Sequence, residues 1–338
     1  MTLSPSPPLP HPWSWSDALP AGPHRLEQSV SLLRLEGPDT LRFLHGQSSQ
    51  DLVLAPAGAW RRTCCISPTG RLRALAEVLV DGSGAWLLIT AGDAAAVRTA
   101  LDRVLFPADA VKLGPLQEAL WLEPVGPDRP VAASAPATWE PLEAGEGWRL
   151  GPATVLPAGA VVPADLAALA PLPEPERQMR RIALGLPAAA AEINEETNPF
   201  ELGLADRVSL AKGCYVGQET LARLATYDGV KQQLRRWFTP ASPGSEKAAP
   251  RPGSTLRDVE GQRAGQVTSA LALPGGEGWI GLALVRRAAL EQERLLCAAD
   301  GADATGGEEA PAAGGLELQL QLSRPELFVA PPVGAGGG

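Results

Sequence analysis

The stretch KGCYVGQE, residues 212–219, brings together the side-chain types best suited to chemistry in this sequence. Cys214 lies two residues after Lys212 and shortly before a predicted helix that begins near Gly217. A thiolate, rather than a thiol, acts as a nucleophile or metal ligand, and a neighbouring ammonium group and the positive end of a helix both favour the thiolate. The stretch therefore predicts that Cys214 is an exposed and reactive thiol.

A packing role for Cys214 explains the same residues. A cysteine that ends a buried strand behaves as a small apolar side chain, and free cysteines are often buried in this way. Gly213 and Gly217 favour the functional alternative, because backbone without side chains lets a ligand or a partner approach closely. The local sequence leaves both alternatives open.

The other candidate residues for chemistry are weaker. Cys64 and Cys65 are adjacent, so in a strand they point to opposite faces and are poorly placed to share one metal ion. Cys297 lies in an apolar segment and is predicted to be core, and His45 is predicted to cap a helix or lie on its surface. The sequence contains no CxxC, HExxH, Walker or GxGxxG motif, and we predict no resident metal site.

Composition and charge narrow the class of protein. The chain has 338 residues, a net charge of −9 and a pI of about 5.0, which disfavours a broad nucleic-acid-binding surface. No uninterrupted apolar run of about 18 residues occurs, so we predict no membrane span. The proline-rich N-terminus lacks the regions of a signal peptide, and the four cysteines form no disulfide framework. These features predict a cytoplasmic location.

Short apolar runs mixed with helical periodicity predict an α+β fold. The first part is predicted to contain a strand over 29–35, a helix capped by Asp39 or Thr40, three strands between 64 and 90, and a helix capped by Asp93. Further strands are predicted over 110–113, 119–122 and 148–156, and then a helix over 174–186 that ends at Gly185 and Pro187.

The pattern of residues 207–227 predicts the elements on either side of Cys214. The KGCYVGQE stretch is predicted to lie between a short strand over 207–213 and a helix over 217–227. From residue 230 onward, short strands and glycine turns predict a small β-barrel, interrupted by a low-complexity loop over 301–315.

Residues 212–223, KGCYVGQETLAR, resemble the signature of the YgfZ family, folate-binding relatives of the aminomethyltransferase of the glycine cleavage system. Residues 32–52 resemble the opening segment of that family, residues 66–80 its glycine-arginine hairpin, and residues 181–219 its approach to the signature. The resemblance covers roughly residues 30–290. It implies three domains around a central channel, of which two are α+β and the last is a small β-barrel.

We expect the following division of the chain: a flexible leader over 1–25, a first α+β domain over 26–50 and 115–229, a second over 51–114, the barrel over 230–330, and a disordered tail over 331–338.

The resemblance also implies a function. The chain would bind tetrahydrofolate and support the synthesis or repair of iron–sulfur enzymes, a role that the family is associated with alongside tRNA modification. Cys214 would be the functional thiol, assisted by Lys212, and an iron–sulfur cluster would be bound only transiently. The partners would be iron–sulfur proteins or their assembly factors. Folate contacts are assigned to residues of the matched segments: Gln47, Tyr215, Gln218, Glu219 and Arg223.

Two of these assignments have alternatives. A folate tail carries carboxylates, so Arg223 is expected to meet it, with Lys231 and Arg235 as alternatives and an ordinary surface arginine as the competing explanation. Glu219 either holds Lys212 or the ligand, or it only stabilises the first turn of its helix.

Two departures separate this chain from the transferases. Where the transferases carry a catalytic aspartate, the aligned residues are Arg73 and Ala74, and where they carry a folate-binding glutamate, the aligned residue is Ala183. The first acid after the hairpin is Glu77, roughly 10–13 Å further along a strand. The departures disfavour aminomethyl transfer, which stays the alternative function, with a non-catalytic scaffold as the second alternative. Within the YgfZ pattern, Ser49 replaces the usual threonine and keeps the hydroxyl.

Overall fold

The computed structural model of the chain describes residues 13–127, 138–143, 146–241, 249–298 and 317–332. The predicted loop over 301–315 and residues 333–338 of the predicted tail lie outside the described residues. The described helices are α1 (Thr40–Gln47), α2 (Ala94–Arg103), α3 (Ala164–Ala167), α4 (Glu174–Leu184) and α5 (Gln218–Thr226). Short 3-10 turns lie at Trp15–Ala18, Ala205–Arg207, Pro274–Gly276 and Arg287–Ala289.

The first eight strands are β1 (His24–Glu36), β2 (Trp60–Ile66), β3 (Leu72–Val80), β4 (Gly84–Gly92), β5 (Lys112–Val125), β6 (Glu140–Pro141), β7 (Trp148–Leu150) and β8 (Ala153–Pro157). The last six are β9 (Gln232–Pro240), β10 (Thr255–Arg257), β11 (Arg263–Ala272), β12 (Gly278–Arg286), β13 (Arg294–Ala298) and β14 (Glu317–Ser323).

Strands β1 to β8 form one antiparallel sheet in the order β2-β3-β4-β1-β5-β8-β7-β6. Its longest pairing joins β1 to β5, from His24 opposite Val125 to Glu36 opposite Lys112. The sheet contains strands from both segments that the sequence assigns to separate α+β domains. The domain boundaries themselves stay a prediction.

Strand β5 replaces the two strands predicted over 110–113 and 119–122. The segment continues through Gly114 and Pro115 because the β1–β5 register shifts there, opposite Arg34. Proline has no backbone N–H to donate, and within sheets it is tolerated at such irregularities. The two separate strands were therefore wrong, and the proline marks a bulge in one long strand.

Two other strand predictions differ from the structure. The single strand over 148–156 is a hairpin of β7 and β8, with Gly151 at a φ of 60° between them. The strand over 207–213 was wrong, because this segment follows a 3-10 turn and then bends. The backbone N–H of Ser209 donates to the carbonyl oxygen of Ser49 at 2.9 Å, so its hydrogen bond goes to the turn after α1 and not to a strand.

The predicted ends of the helices are confirmed where the signals are local. The side chain of Asp93 accepts a hydrogen bond from the N–H of Ala96 at 2.9 Å and caps α2. Helix α4 ends at Gly185, whose φ of 74° lets the N–H of Leu186 reach the carbonyl oxygen of Arg181 at 3.0 Å.

Strands β9 to β14 form the predicted C-terminal barrel. The barrel is closed, with the order β10-β11-β12-β9-β14-β13 and pairing of β10 with β13. Its first strand begins at Gln232, close to the predicted start at residue 230. Closure leaves no free strand edge in the barrel.

One apolar cluster lies where the sheet, the helices and the barrel meet. Its buried side chains include Leu72 of β3, Ile182 of α4, Leu221 of α5 and Leu282 of β12. Burial of each such side chain stabilises the folded chain by about 1.5–3 kcal/mol, so the cluster holds these parts together. The central channel that the resemblance implies stays a prediction.

Residues 13–20, which we call the N-terminal strap, pack against this cluster. The Trp13 ring stacks on Phe238 with 5.0 Å between centroids, and the Arg236 guanidinium lies 4.4 Å from the centroid of Trp15. Ala18 is only 1% exposed. The strap therefore differs from the flexible leader predicted over 1–25, because its tryptophans pack against the barrel, and β1 already begins at residue 24.

Candidate functional site

The KGCYVGQE stretch forms a bent loop, here called the thiol loop (residues 212–217), that leads into α5. Gly217 is the residue before the helix and has a φ of 75°. A Cβ atom at Gly217 would lie 2.7 Å from the carbonyl oxygen of Ser67 in the β2–β3 turn. Gly213 differs, because a Cβ there would have only the His45 Nε2 atom near it, at 3.8 Å. Gly217 is therefore required for packing inside the protein, and only Gly213 borders open space.

Lys212 points into the protein and is 6% exposed. Its ammonium group donates to the carbonyl oxygens of His45, Ser48 and Gln50 at 2.5, 2.7 and 2.8 Å. An ammonium group has three N–H donors, so all of them are used at the end of α1 and in the turn that follows it. The last carbonyls of a helix carry partial negative charge, which favours a cation at this place. Lys212 therefore fixes the thiol loop to α1, and it has no donor left for Cys214 or a ligand.

Burial changes the titration of two basic groups beneath the thiol loop. It lowers the pKa of Lys212 from 10.5 to about 7, with the nearby charge of Asp51 opposing the change. Burial, and then the charge of Lys212, lower the pKa of His45. The Nδ1 atom of His45 lies 3.3 Å from the N–H of Leu52 and 3.2 Å from Asp51. This region beneath the loop therefore carries less positive charge near pH 7 than its side chains suggest.

Tyr215 is the second anchor of the thiol loop. Its side chain is 7% exposed and packs in the apolar cluster with Cys64 and Ile66. Burial raises the pKa of its phenol to about 12, and its hydroxyl has no hydrogen-bond partner among the described residues. The Lys212 ammonium lies 4.3 Å from the centroid of its ring. The folate contact assigned to Tyr215 stays a prediction.

Cys214 is exposed, whereas Cys64, Cys65 and Cys297 are buried. Lys212 and Tyr215 turn inward on either side of it, so the loop presents its thiol to solvent. Burial raises the pKa of Cys64 to about 11 and that of Cys65 to about 12, which keeps both in the thiol form. The predicted exposure of Cys214 is confirmed, and the packing alternative for it was wrong.

The other residues assigned to folate lie on α5 and at the end of α1. The Nε2 atom of Gln218 donates to the carbonyl oxygen of Lys212 at 3.4 Å and closes the thiol loop. Glu219 and Arg223 pair with each other at 2.7 Å, with side chains 80% and 71% exposed. Glu219 therefore does not hold Lys212. Gln47 is half-buried at the last position of α1, and the folate roles of these four residues stay predictions.

The positions aligned with the transferase acids carry no acid. Ala74 and Ala183 are 0% and 2% exposed, and Arg73 pairs with Glu195 at 3.1 Å. The apolar environment of the two alanines offers nothing to orient a polar ligand.

Glu77 is also unable to replace those acids. It is 3% exposed, accepts a hydrogen bond from the Trp60 indole at 2.8 Å, and pairs with Arg207 at 3.1 Å. Each carboxylate oxygen thus has a partner. Use of Glu77 elsewhere would leave the charge of Arg207 buried and unpaired, which is strongly unfavourable.

A cleft of about 640 Å³ lies between the β2–β3 turn, the loop after α4, the segment that joins α5 to β9, and the end of β12. Its charged lining residues are Arg71, Glu196, Glu201, Asp228, Lys231, Arg286 and Arg287. A smaller cavity of about 140 Å³ adjoins it and shares Glu196, Gln232 and Arg286. Of the cleft's charged residues, sequence reasoning singled out only Lys231.

Glu201 is the buried acid of this cleft. It is 5% exposed, and burial raises its pKa. Its Oε2 atom accepts from the N–H of Asn198 at 3.0 Å and lies 3.9 Å from Arg71. The Asn198 side chain in turn accepts from the N–H groups of Phe200 and Glu201. The sequence signal for this arrangement is an Asn-Pro pair followed by an acid, which is typical of a side-chain-stabilised turn.

The described part of the chain contains neither a group of metal ligands nor a membrane-spanning helix. No three His, Cys, Asp or Glu side chains there are grouped so that they could hold a metal ion. None of the helices in those residues has both the length and the apolar character needed to cross a bilayer.

No protein-family model matches this sequence. The chain is 28% identical over 283 residues to a chloroplastic protein of Arabidopsis thaliana that bears the provisional name of a transferase, a match that covers 76% of this chain and 63% of that protein. It is 34% identical over 114 residues to the aminomethyltransferase of Koribacter versatilis, covering 34% of this chain and 26% of the relative. It is also 29% identical over 138 residues to the aminomethyltransferase of Staphylococcus carnosus, a match that covers 40% of this chain and 33% of that protein. The matches thus span less than two thirds of each relative.

Comparison of structures gives the fold. The structure is similar to the crystal structure of the glycine cleavage system aminomethyltransferase T from Bartonella henselae, with a TM-score of 0.67 and 20% sequence identity. The similarity covers 94% of this chain and 90% of that one. The chain therefore has an aminomethyltransferase-like fold with a C-terminal barrel.

Proposed function

We propose that this chain is a folate-binding accessory protein that supports the synthesis or repair of iron–sulfur enzymes, with Cys214 as its functional thiol. The observation that carries the proposal is the exposed Cys214 on a loop anchored by the buried Lys212 and Tyr215. The aminomethyltransferase-like fold supports the folate part. The resemblance of residues 212–223 to the YgfZ signature supports the iron–sulfur part.

An exposed thiolate on an anchored loop can react at the surface of a partner protein. Its sulfur can ligate iron, or it can attack a partner disulfide, forming one S–S bond and releasing the second partner sulfur as a thiolate. In a shared cluster, Cys214 would supply one ligand and the partner protein the others, so that the cluster would be bound only transiently.

Tetrahydrofolate would supply a pterin that carries one-carbon units. The cleft of about 640 Å³ has a size typical of small-molecule sites, which range over about 300–1,000 Å³. Thr268 lines the adjoining cavity, and its buried hydroxyl has no hydrogen-bond partner among the described residues. The cations of the cleft, with Thr268, are the residues that would hold such a molecule.

Complementation tests the proposal. Cells that lack an accessory protein of this kind and have a defective iron–sulfur enzyme would receive wild type, Cys214→Ser or the control Arg149→Gln. We expect wild type and Arg149→Gln to restore the enzyme activity, because Arg149 is exposed and lines none of the described cavities. We expect Cys214→Ser to fail while expressing at the wild-type level. Full restoration by Cys214→Ser would contradict the proposal.

Aminomethyl transfer is the second candidate function, favoured by the names of two relatives and of the similar structure. The absence of an acid at Ala74 and Ala183 weighs against it. An assay of glycine turnover with a lipoyl carrier protein separates the two functions.

A further inference from the structure

Three cations lie together at one end of the barrel. Lys231, Arg263 and Arg286 are exposed and line the cleft or its adjoining cavity. None of the described residues forms a salt bridge with any of the three. Unpaired cations around a concave surface attract anions.

The acids of the cleft are largely neutralised within the protein. Asp228 pairs with Arg287, and Glu201 lies 3.9 Å from Arg71. Burial also raises the pKa of Glu201. Among the acids that line the cleft, only Glu196 lacks a cationic partner in the part of the chain that the structure describes. Positive charge therefore exceeds negative charge at this surface.

The strands fix the spacing of the three cations. Lys231 immediately precedes β9, Arg286 ends β12, and Arg263 begins β11. These strands are neighbours in the barrel, in the order β11-β12-β9, and the N–H of Arg287 donates to the carbonyl oxygen of Lys231 at 2.8 Å. Neighbouring strands lie about 4.8 Å apart, so the cations recur across the barrel end at roughly that step. A row of this kind suits an extended anion better than a single compact one.

The adjoining cavity contains an independent sign of a ligand. Thr268 is 9% exposed, and its hydroxyl has no hydrogen-bond partner among the described residues. Thr197 and Asn194 line the same cavity and offer further polar groups. A buried hydroxyl without a partner is unfavourable, and a polar group from a ligand would satisfy it.

We propose that this cleft binds an extended chain of carboxylates, such as γ-linked oligoglutamate, either free or as the tail of a folate. The folate form of the ligand rests on the proposed function, whereas the carboxylate site rests only on the contacts described above. Arg223, assigned to the tail from sequence, pairs with Glu219 on another surface and is replaced in this role by Lys231, Arg263 and Arg286.

Calorimetry with three probes tests the proposal: tetrahydrofolate with one glutamate, tetrahydrofolate with five glutamates, and free penta-γ-glutamate. The proteins are wild type, the double variant Lys231→Gln/Arg286→Gln, and the control Arg149→Gln/Arg294→Gln. The control removes the same charge from two exposed arginines that line none of the described cavities.

We expect wild type and control to bind the five-glutamate folate at least about tenfold more tightly than the one-glutamate form, and this preference to weaken at high salt. The double variant should lose the preference, because its affinity for the five-glutamate form should fall further than its affinity for the one-glutamate form. Equal affinity of wild type for both folates would overturn the carboxylate site. Equal binding of free penta-γ-glutamate and of the five-glutamate folate, with no binding of the one-glutamate form, would support the site and contradict the folate function. Binding of none of the probes would overturn both proposals.

Discussion

Cys214 owes its exposure to the residues beside it, because Lys212 and Tyr215 both point inward and leave the thiol outside. We expect iodoacetamide to label the native protein once, the urea-unfolded protein four times, and native Cys214→Ser not at all. Intact mass measures each number directly. Two or more labels on the native protein would mean that a buried cysteine is accessible, and no label would mean that Cys214 is packed.

Lys212 makes the stability of the protein depend on pH. Its pKa is lowered to about 7 in the folded chain and is ordinarily 10.5, so between these values the unfolded chain binds more protons. Its contribution to the free energy of unfolding therefore increases as pH rises from about 7 to about 10. We expect the difference in that free energy between wild type and Lys212→Met to grow over this range.

Urea denaturation at several pH values measures this difference. The control is Lys112→Met, which changes an exposed lysine and should show no such trend. A difference that shrinks as pH rises would mean that the three carbonyl contacts outweigh burial. At pH 7, Lys212→Met should still cost about 2 kcal/mol, because hydrogen bonds to a charged group contribute about 1.5–3 kcal/mol.

Ala74, Ala183 and Glu77 together predict that the purified protein has no aminomethyl transfer activity. A transferase needs an acid near the reacting nitrogen to stabilise developing positive charge, and loss of one such contact costs about 10²–10³ in rate. Glu77 cannot replace it because Trp60 and Arg207 occupy its oxygens. Glycine turnover should lie at least about 100-fold below that of a genuine aminomethyltransferase assayed in parallel. Comparable turnover that Glu77→Gln abolishes would contradict this expectation.

At the scale of elements, the junction between the β2–β3 turn and α5 depends on one glycine. Gly217 has a φ of 75°, and a Cβ there would lie 2.7 Å from the Ser67 carbonyl oxygen. A non-glycine residue in this left-handed conformation costs about 1–2 kcal/mol before any steric conflict. We expect Gly217→Ala to lower the free energy of unfolding by at least that amount, and Gly213→Ala to change it by less than about 0.5 kcal/mol. Equal effects of the two substitutions in urea denaturation would contradict the packing role of Gly217.

Elements whose signals are local could be predicted from the sequence. Helix α4 has its stop signal, Gly185 followed by Pro187, next to its own last residue, and so its end was predictable. The continuity of β5 through Pro115 was not, because it depends on a bulge opposite Arg34, about 80 residues earlier in the chain. The backbone conformation of residues 207–213 could not be predicted either, because its hydrogen-bond partner is the turn after α1.

The candidate sites divide in the same way. The exposure of Cys214 was one of the two alternatives that the types and spacing of a few adjacent residues left open. The cleft could not be predicted, because its lining comes from four separate parts of the chain: the β2–β3 turn, the loop after α4, the α5–β9 segment, and the end of β12. A single charged residue in the sequence does not indicate a binding surface, and only the fold shows that these charged residues lie together.

At the scale of the whole molecule, α5 connects the two candidate surfaces. The thiol loop precedes its first residue, and the cleft residues Asp228–Gln232 follow its last turn. A helix of 9 residues rises about 14 Å, so a ligand in the cleft and a partner at Cys214 would contact opposite ends of one rigid element. Leu221 and Ala225 of that helix belong to the apolar cluster, which keeps the two surfaces in a fixed relation.

Because Cys214 is exposed and Cys64, Cys65 and Cys297 are buried, the folded chain can form only one disulfide bond to another molecule. Under diamide, two thiols each give up one hydrogen to the oxidant and join as a disulfide, and each chain then has no linking group left. We expect non-reducing electrophoresis to show a single new band at twice 35.2 kDa, absent for Cys214→Ser and reversed by dithiothreitol, whereas a ladder of larger species would require a second accessible thiol. A chain of this kind cannot polymerise under oxidation. Oxidation can only block Cys214 in a disulfide with a second copy of the chain, and a reductant restores the free thiol of both copies.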